Sequence, residues 1–163
     1  MASQSFSPHL KNEIHVIVST LSGTGKAPSY YYDTLLPFLE SWNLPHSKHE
    51  TESSKTITNL AKSTFLPQAA HGIKQTIILL SGDGGVVDLV NALASDKTSY
   101  QNAREKNYFP PSIILIPMGT GNALAHSSGV SKDPLGVLLN GTPTVQGVPF
   151  PWCHGCHRRR PRP

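Results

Sequence analysis

Three glycine-containing loops are the parts of the sequence best suited to chemistry, because each follows an apolar run and precedes a helical pattern. They are Ser22-Gly-Thr-Gly-Lys26, Gly82-Asp-Gly-Gly85 and Gly119-Thr-Gly-Asn122. Glycine lets backbone N–H groups come close to an anion, and the start of a helix adds a favourable dipole. Each loop alone is an ordinary turn signal. The three together indicate a phosphate-binding site.

None of the three loops completes a well-known nucleotide-binding template. The first is not a P-loop, since Thr20 stands in place of its first glycine and Ala27 in place of its Mg²⁺-binding hydroxyl residue. The other two lack the third glycine of the dinucleotide fingerprint, where Val87 and Leu124 stand. A dinucleotide-dependent dehydrogenase is therefore disfavoured.

Asp83 is the sharpest candidate for catalysis, because it lies between glycines immediately after an apolar strand. A carboxylate beside a phosphate site can bind Mg²⁺ or accept a proton from a hydroxyl group. The alternative is a solvated turn aspartate. Asp88, one helical turn later, is either a supporting carboxylate or a solvated helix residue. Asn122 stands at a predicted helix start, where it either caps the helix or contacts a ligand.

The elements that carry these loops alternate between strands and helices. The predicted strands are residues 15–20, 45–51, 75–81 and 112–117, and the predicted helices are residues 29–42, 53–70, 86–93 and a segment from residue 123. Continuous apolar strands between helices indicate a parallel sheet covered on both faces. The sequence therefore predicts an α/β fold, a Rossmann-like three-layer domain whose loops gather at the carboxyl ends of the strands.

Composition narrows the classes of protein further. The chain has 163 residues and a net charge of +4, and four of its five arginines lie in its last six residues. Without them nine lysines and Arg104 balance ten acidic residues. A neutral body argues against nucleic-acid binding. No apolar run approaches the roughly 18 residues of a membrane span, and the first residues lack an apolar signal core. A cytoplasmic protein is expected.

Three segments resemble the diacylglycerol kinase catalytic domain family. Ser81-Gly-Asp-Gly-Gly-Val-Val-Asp-Leu-Val-Asn-Ala-Leu93 is similar to its GGDGT-x-x-E-x-x-N-G-L segment. Ile114-Leu-Ile-Pro-Met-Gly-Thr-Gly-Asn-Ala-Leu-Ala125 is similar to its I-P-x-G-T-G-N segment. The residues S-G-D-G and N-A-L-A within these segments are closer to the sphingosine and sphingoid-base kinase branch. The N-P-x-S-G-x-G-K opening of that branch resembles Val18-Ser-Thr-Leu-Ser-Gly-Thr-Gly-Lys26.

The resemblance implies an ATP- and Mg²⁺-dependent lipid kinase that transfers the γ-phosphate to a lipid hydroxyl. A sphingoid base is favoured over diacylglycerol as the expected substrate. The expected contact with a membrane is peripheral. Asp83 takes the catalytic role, as proton acceptor or Mg²⁺ ligand, and Asp88 supports it. The implied nucleotide-binding residues are Ser22, Gly23, Thr51, Gly82, Gly84, Gly85, Gly119, Thr120, Gly121 and Asn122. The alternatives are a catalytically inactive ATP-binding remnant and a non-enzymatic α/β interaction module.

The sequence departs from the family pattern at a few positions. Ser19 and Thr20 replace Asn-Pro, Gly85 replaces a threonine, and Asp88 is one methylene shorter than the usual glutamate. These changes are expected to alter the affinity for the nucleotide.

The expected division is a flexible N-terminus at residues 1–12, the nucleotide-binding domain at 13–147 and an unstructured tail at 148–163. The chain stops about where the family's second, β-rich domain begins. A dimer or a partner that supplies this domain is therefore expected. The tail resembles nothing in the family, as a frame-shifted or mis-spliced end would. Its Cys153-His-Gly-Cys-His157 matches the haem attachment pattern C-x-x-C-H, which we interpret as chance.

Overall fold

The structure, a computed structural model, describes residues 8–95 and 108–128 together with Leu135. The predicted tail at 148–163, with its two cysteines, lies outside the described residues. So do the end of the predicted domain at 147 and most of the polar segment before the last strand.

Four parallel strands form one sheet in the order β2-β1-β3-β4. Their bounds are β1 Glu13–Val18, β2 His46–Glu50, β3 Gln75–Ser81 and β4 Ser112–Pro117. Ile14 of β1 lies opposite His46 on one side and Thr76 on the other, which fixes the register of the central strand. The parallel sheet confirms the predicted α/β class.

Helical segments follow each strand. They are α1 Ala27–Tyr30, α2 Leu36–Ser41, α3 Thr56–Leu60, α4 Leu66–Ala70, α5 Asp83–Ala94 and α6 Ala123–Ser128. Short π-helical stretches, Tyr31–Leu35 and Ala61–Phe65, join α1 to α2 and α3 to α4. A proline follows each stretch, at Pro37 and Pro67. Because proline has no N–H and its ring displaces the carbonyl four residues earlier, the helix widens there instead of ending.

The core lies on both faces of the sheet. On one face Val16 and Val18 pack in a cluster with Leu35 and Leu39 of the α1–α2 segment. On the other face Ile17 and Ile77 share a cluster with Phe65 and Leu89, from the α3–α4 segment and α5. Alternate residues of each strand point to opposite faces, so both faces must be covered when the whole strand is apolar. The three layers that the sequence predicts are therefore confirmed.

A short 3₁₀ helix, Pro8–Lys11, precedes the sheet. Its Leu10 is only 5% exposed and belongs to the first core cluster. Residues 8–11 fall inside the segment predicted as a flexible N-terminus, and they pack on the domain because Leu10 supplies an apolar anchor.

The chain changes direction across the sheet between β1 and β3. The connection after β1 leads outward to β2, whereas the connection after β3 leads to β4 on the other side. In open α/β sheets ligands bind outside the carboxyl ends of the strands at such a switch point. Within the described ranges, no helix is long and apolar enough to cross a membrane.

Candidate functional site

The loops that follow β1, β3 and β4 meet at the switch point. We call residues 19–26 loop 1, residues 82–85 loop 2 and residues 118–122 loop 3. In loop 2 only Gly82 precedes the helix, as its N-cap, whereas Asp83, Gly84 and Gly85, predicted to precede the helix, form the first turn of α5. Gly23 of loop 1 has φ +57°, and a Cβ atom there would overlap the carbonyl oxygen of Met118 and approach Gly119 Cα to 3.0 Å. Only glycine lets the backbones of loops 1 and 3 come this close.

Loops 2 and 3 also touch through their backbones. A Cβ atom on Gly119 would lie 2.6 Å from Gly82 Cα, and a Cβ atom on Gly82 would lie 3.0 Å from Gly119 Cα. The glycines of the two loops therefore face each other. Their absent side chains are what allows the two strand ends to converge.

The Asp83 carboxylate crosses from loop 2 to the start of α6. Its Oδ2 accepts a hydrogen bond from the N–H of Ala123 at 2.7 Å, and its Oδ1 accepts one from the N–H of Leu124 at 3.2 Å. These are first-turn N–H groups, which lack partners inside their own helix. Asp83 thus caps α6 from a different part of the chain, and its carboxylate is held by charge-assisted hydrogen bonds.

Asn122 closes loop 3 on itself. Its Oδ1 accepts the N–H of Gly119 at 2.9 Å and its Nδ2 donates to the carbonyl of Gly119 at 2.6 Å. The residue adopts φ +47°, a left-handed conformation that asparagine tolerates better than most residues. Asn122 therefore shapes loop 3 and does not cap α6, because Asp83 supplies that cap. Contact of Asn122 with a ligand stays a prediction.

Three serine hydroxyls form a cluster beneath loops 1 and 2. Ser22 Oγ donates to Ser19 Oγ at 2.7 Å and lies 3.0 Å from Ser81 Oγ. The N–H of Gly82 donates to Ser22 Oγ at 3.4 Å. The side chain of Ser22, predicted to bind nucleotide, is therefore turned toward loop 2 and the end of β3.

Thr51 ties the end of β2 to loop 1. Its side chain is buried, and its Oγ1 accepts the N–H of Thr20 at 3.1 Å. The Thr20 hydroxyl in turn donates to the carbonyl of Thr51 at 2.6 Å. Thr51, which the resemblance places in the nucleotide site, thus lies at the same edge of the sheet as the three loops. Thr20 and Ser19, the positions that depart from the family, both act in loop contacts.

The remaining predicted residues differ in how open their surroundings are. Gly84 and Gly121 have no atom within 4 Å of a Cβ position, so there is open space in front of loops 2 and 3. Thr120 is exposed beside Gly121. Gly85 is buried on the inner side of loop 2, where its Cβ position overlaps the Ser81 side chain.

Asp88 does not stack on Asp83. The two residues are five positions apart on α5, and five residues turn a helix to about 140° from the starting direction. The carboxylates therefore leave the helix on different sides. Asp88 as a support for Asp83 stays a prediction.

The residues at this edge fit a bound nucleotide with a divalent cation. Among the described residues, His, Cys, Asp and Glu form no group of three or more that could hold a metal ion. Mg²⁺ in phosphate-transfer sites is usually held by one or two carboxylates together with the phosphates. Asp83 could serve as that carboxylate, since each of its oxygens has a lone pair beyond the bond it accepts. The open N–H groups of loops 2 and 3 suit the phosphates.

The fold and the glycine loops at its edge define a class, an open parallel α/β domain with three loops that meet at its switch point. The family model of the diacylglycerol kinase catalytic domain matches residues 13–143. The chain belongs to that family.

Known relatives extend well beyond this chain. Sphingosine kinase B of Dictyostelium discoideum is 39% identical over 64 residues, which are 39% of this chain and 8% of that protein. The crystal structure of a diacylglycerol kinase from Bacillus anthracis aligns with a TM-score of 0.55 at 20% identity, covering 78% of this chain and 40% of that one. A second structure from the same organism aligns at 0.52 and 18%, covering 84% and 42%. The chain therefore spans less than half the length of these proteins.

Sequence reasoning missed Ser81 as a site residue, and it treated Ser19 and Thr20 only as departures from a pattern. The signal for Ser81 was its position. It is a hydroxyl residue that ends an otherwise apolar strand immediately before a glycine loop.

Proposed function

We propose that this chain is the nucleotide-binding part of an ATP-dependent lipid kinase, which transfers the γ-phosphate to a lipid hydroxyl. The observation that carries the proposal is the convergence of loops 1, 2 and 3, backbone against backbone, at the switch point between β1 and β3. Phosphoryl transfer requires mainly positioning and charge stabilisation, which such loops supply. Family membership over residues 13–143 supports the same reaction class.

In this proposal the phosphates lie in the open space before Gly84 and Gly121, within reach of the backbone N–H groups of loops 2 and 3. Lys26 and Lys55 are exposed N-cap residues of α1 and α3 at the same edge. A cation at the start of a helix is unfavourable for the helix dipole. A bound polyphosphate would offset that cost, so the two lysines favour an anionic ligand.

Mg²⁺ bound with the nucleotide supplies the charge neutralisation that phosphate transfer needs. Asp83 is the residue we assign to the reaction, as Mg²⁺ ligand or as acceptor of the lipid hydroxyl proton. Its hydrogen bonds from the N–H groups of Ala123 and Leu124 fix the orientation of the carboxylate at the edge of the site. An ionised carboxylate is the form that both roles require.

For the substrate we favour a sphingoid base over diacylglycerol. One support is the S-G-D-G and N-A-L-A sequences at loops 2 and 3. The other is the 39% identity with Sphingosine kinase B over 64 residues. A lipid substrate implies peripheral contact with a membrane from the cytoplasmic side. The remaining part of the active site would come from a further domain or a partner chain.

One observation favours a second candidate, a chain that binds ATP without transferring phosphate. Both Asp83 oxygens already accept hydrogen bonds from α6, so a purely structural role would account for the residue. Binding and transfer must therefore be measured separately.

The first experiment is thermal unfolding of the 163-residue chain with and without Mg-ATP, with NADH as the control ligand. A ligand of the native state at a hundred times its Kd adds about 2.7 kcal/mol, which raises the midpoint by several degrees. We expect Mg-ATP alone to raise it. An unmoved midpoint would contradict nucleotide binding.

The second experiment follows labelled γ-phosphate from ATP into sphingosine or diacylglycerol in mixed micelles. Preferential labelling of sphingosine is expected, and preferential labelling of diacylglycerol would reverse the substrate assignment. ATP binding without labelling of either lipid would support the second candidate.

A further inference from the structure

The serine cluster has a defined direction of hydrogen bonding. A hydroxyl has one proton to donate and two lone pairs to accept with. Ser22 gives its proton to Ser19 at 2.7 Å, so the contact of 3.0 Å between Ser22 and Ser81 requires Ser81 to be the donor. The N–H of Gly82 uses the second lone pair of Ser22 at 3.4 Å.

The Ser22 hydroxyl is therefore fully occupied by protein groups. It joins its own loop to Ser81 and Gly82, at the boundary between β3 and loop 2. The two serines lie 59 residues apart in the sequence, Ser22 in the loop that follows β1 and Ser81 at the end of the neighbouring strand β3. The bond between them bridges the two strand ends that flank the switch point.

The absence of a side chain at Gly85 leaves the space that the Ser81 side chain occupies. A Cβ atom on residue 85 would overlap Ser81 Oγ and lie 2.8 Å from Ser81 Cβ. Ser81 is 1% exposed, so its hydroxyl has no room to turn toward solvent. The glycine at position 85 and the serine at position 81 fit together, and the hydroxyl is directed at Ser22.

We propose that Ser81 is a positioning residue of the phosphate site, which fixes loop 1 on loop 2 by donating a hydrogen bond to Ser22 Oγ. The inference rests on the proposed nucleotide binding. Its role is exerted through Ser22 and not by contact with the nucleotide. Removing the hydroxyl leaves the 3.4 Å bond from the Gly82 N–H to Ser22 Oγ as the remaining bond of the cluster between the two loops, so loop 1 is less firmly fixed and must be ordered when the phosphates bind.

The test compares ATP affinity in Ser81→Ala, Ser22→Ala and the double variant, by titration calorimetry with Mg-ATP. We expect each single variant to weaken ATP binding about five- to tenfold, the range that one net hydrogen bond gives. Because both substitutions remove the same bond, the double variant is expected to bind no worse than Ser22→Ala. Gly85→Ala, which displaces the Ser81 hydroxyl, is expected to weaken binding in the same way.

Thr76→Val is the matched control. Thr76 lies at the other end of β3, is fully buried, and its hydroxyl accepts a hydrogen bond from Asn12 at 3.1 Å. We expect it to lower the unfolding midpoint as Ser81→Ala does, with ATP affinity unchanged. A general loss of stability would instead lower affinity in both variants and overturn the positioning role.

The outcomes separate the two proposals. A wild-type chain that does not bind Mg-ATP overturns the proposed function and this inference with it. A wild-type chain that binds, with Ser81→Ala binding equally well, overturns the inference alone. So does an additive loss in the double variant. If Ser81→Ala does not fold, Gly85→Ala carries the test, and unchanged affinity in that variant contradicts the inference.

Discussion

At the carboxyl edge of the sheet, the loops contact each other backbone against backbone, whereas the outer strand β2, which pairs with β1 on one side, makes its further contacts through side chains. Gly23 meets Met118 and Gly119 without an intervening side chain. On β2, His46 Nε2 lies 2.8 Å from the hydroxyl of Tyr31, and Lys48 Nζ donates to Glu50 Oε1 at 2.7 Å. Lys48 Nζ also lies over the ring of Tyr31, 5.3 Å from its centroid.

The two regions should respond to substitution in different ways. Where two backbones touch, there is no room for even one added carbon atom, so a single substitution of glycine by alanine is expected to disrupt the contact. Substitutions at contacts between exposed side chains each lower the free energy of unfolding only slightly, since an exposed ion pair contributes about 0–1 kcal/mol. The candidate site therefore demands particular glycines, while β2 tolerates a range of polar residues.

The largest effect is expected from Gly23→Ala. The substitution forces alanine into a left-handed backbone conformation and drives a Cβ atom into Met118 and Gly119. We expect a loss of about 2–4 kcal/mol in the free energy of unfolding, measured by urea denaturation, together with loss of ATP binding.

Gly121→Ala is the control for that prediction. Gly121 belongs to loop 3 but has open space around its Cβ position and no left-handed φ. Its free energy of unfolding is expected to stay within about 0.5 kcal/mol of wild type. Equal losses at the two glycines would show that close backbone approach is not what holds loops 1 and 3 together.

A smaller effect is expected at Asp83, whose carboxylate joins loop 2 to the start of α6. Asp83→Ala removes the cap of α6 and should cost about 1 kcal/mol of stability. Asp83→Asn keeps one acceptor oxygen for the cap and should cost little, because asparagine caps helices nearly as well as aspartate. Both substitutions should abolish phosphate transfer, since neither retains the charged carboxylate. Full turnover in Asp83→Asn would remove the carboxylate from the mechanism.

The smallest effect depends on pH and belongs to the side-chain region. Burial lowers the pKa of both His15 and His49 below 6.5, and the nearby Glu13 carboxylate only partly opposes this at His15. His15 Nδ1 and His49 Nε2 lie 3.3 Å apart, an arrangement that suits a neutral pair. Below pH 6.5 the unfolded chain binds more protons than the folded one. Stability should therefore be complete above that pH and fall as the pH drops below it.

His49→Gln should weaken this pH dependence, measured as the difference in unfolding midpoint between about pH 7.5 and about pH 5.5. The control is His71→Gln, the same substitution at an exposed histidine at the end of α4. The comparison isolates what the buried pair contributes. Equal pH dependence in wild type and His49→Gln would show that the buried pair does not control acid stability.

The fold was largely predictable because its signals are local. β3 and β4 have the predicted bounds, since each is an unbroken apolar run next to a glycine. The glycine loops were predictable for the same reason, and the rule for parallel sheets placed them at one edge. The π-helical stretches before Pro37 and Pro67 were not predicted, because the sequence pattern gives the helix and the proline but not how the backbone accommodates both.

The side-chain contacts that join one loop of the site to another could not be predicted, because their partners are distant in sequence. Asp83 and Ala123 lie 40 residues apart, and the bond uses a backbone N–H that carries no sequence signature. Ser81 showed a hydroxyl at the end of a strand, without any sign that Ser22 would lie beside it. The residue types indicated what chemistry the carboxyl edge of the sheet could support. Only the tertiary structure shows which side chains hold which loops in place.

The position of β1 at the centre of the sheet has a consequence for the order in which the chain folds. Loop 1 emerges early in synthesis, yet its partners Ser81 and Gly119 lie in β3 and in loop 3, which are made much later. Parallel pairing across such separations carries a large loop-closure cost and is slow. The first loop to be synthesised is thus completed only when β4 docks, and acquisition of nucleotide binding would mark the end of folding.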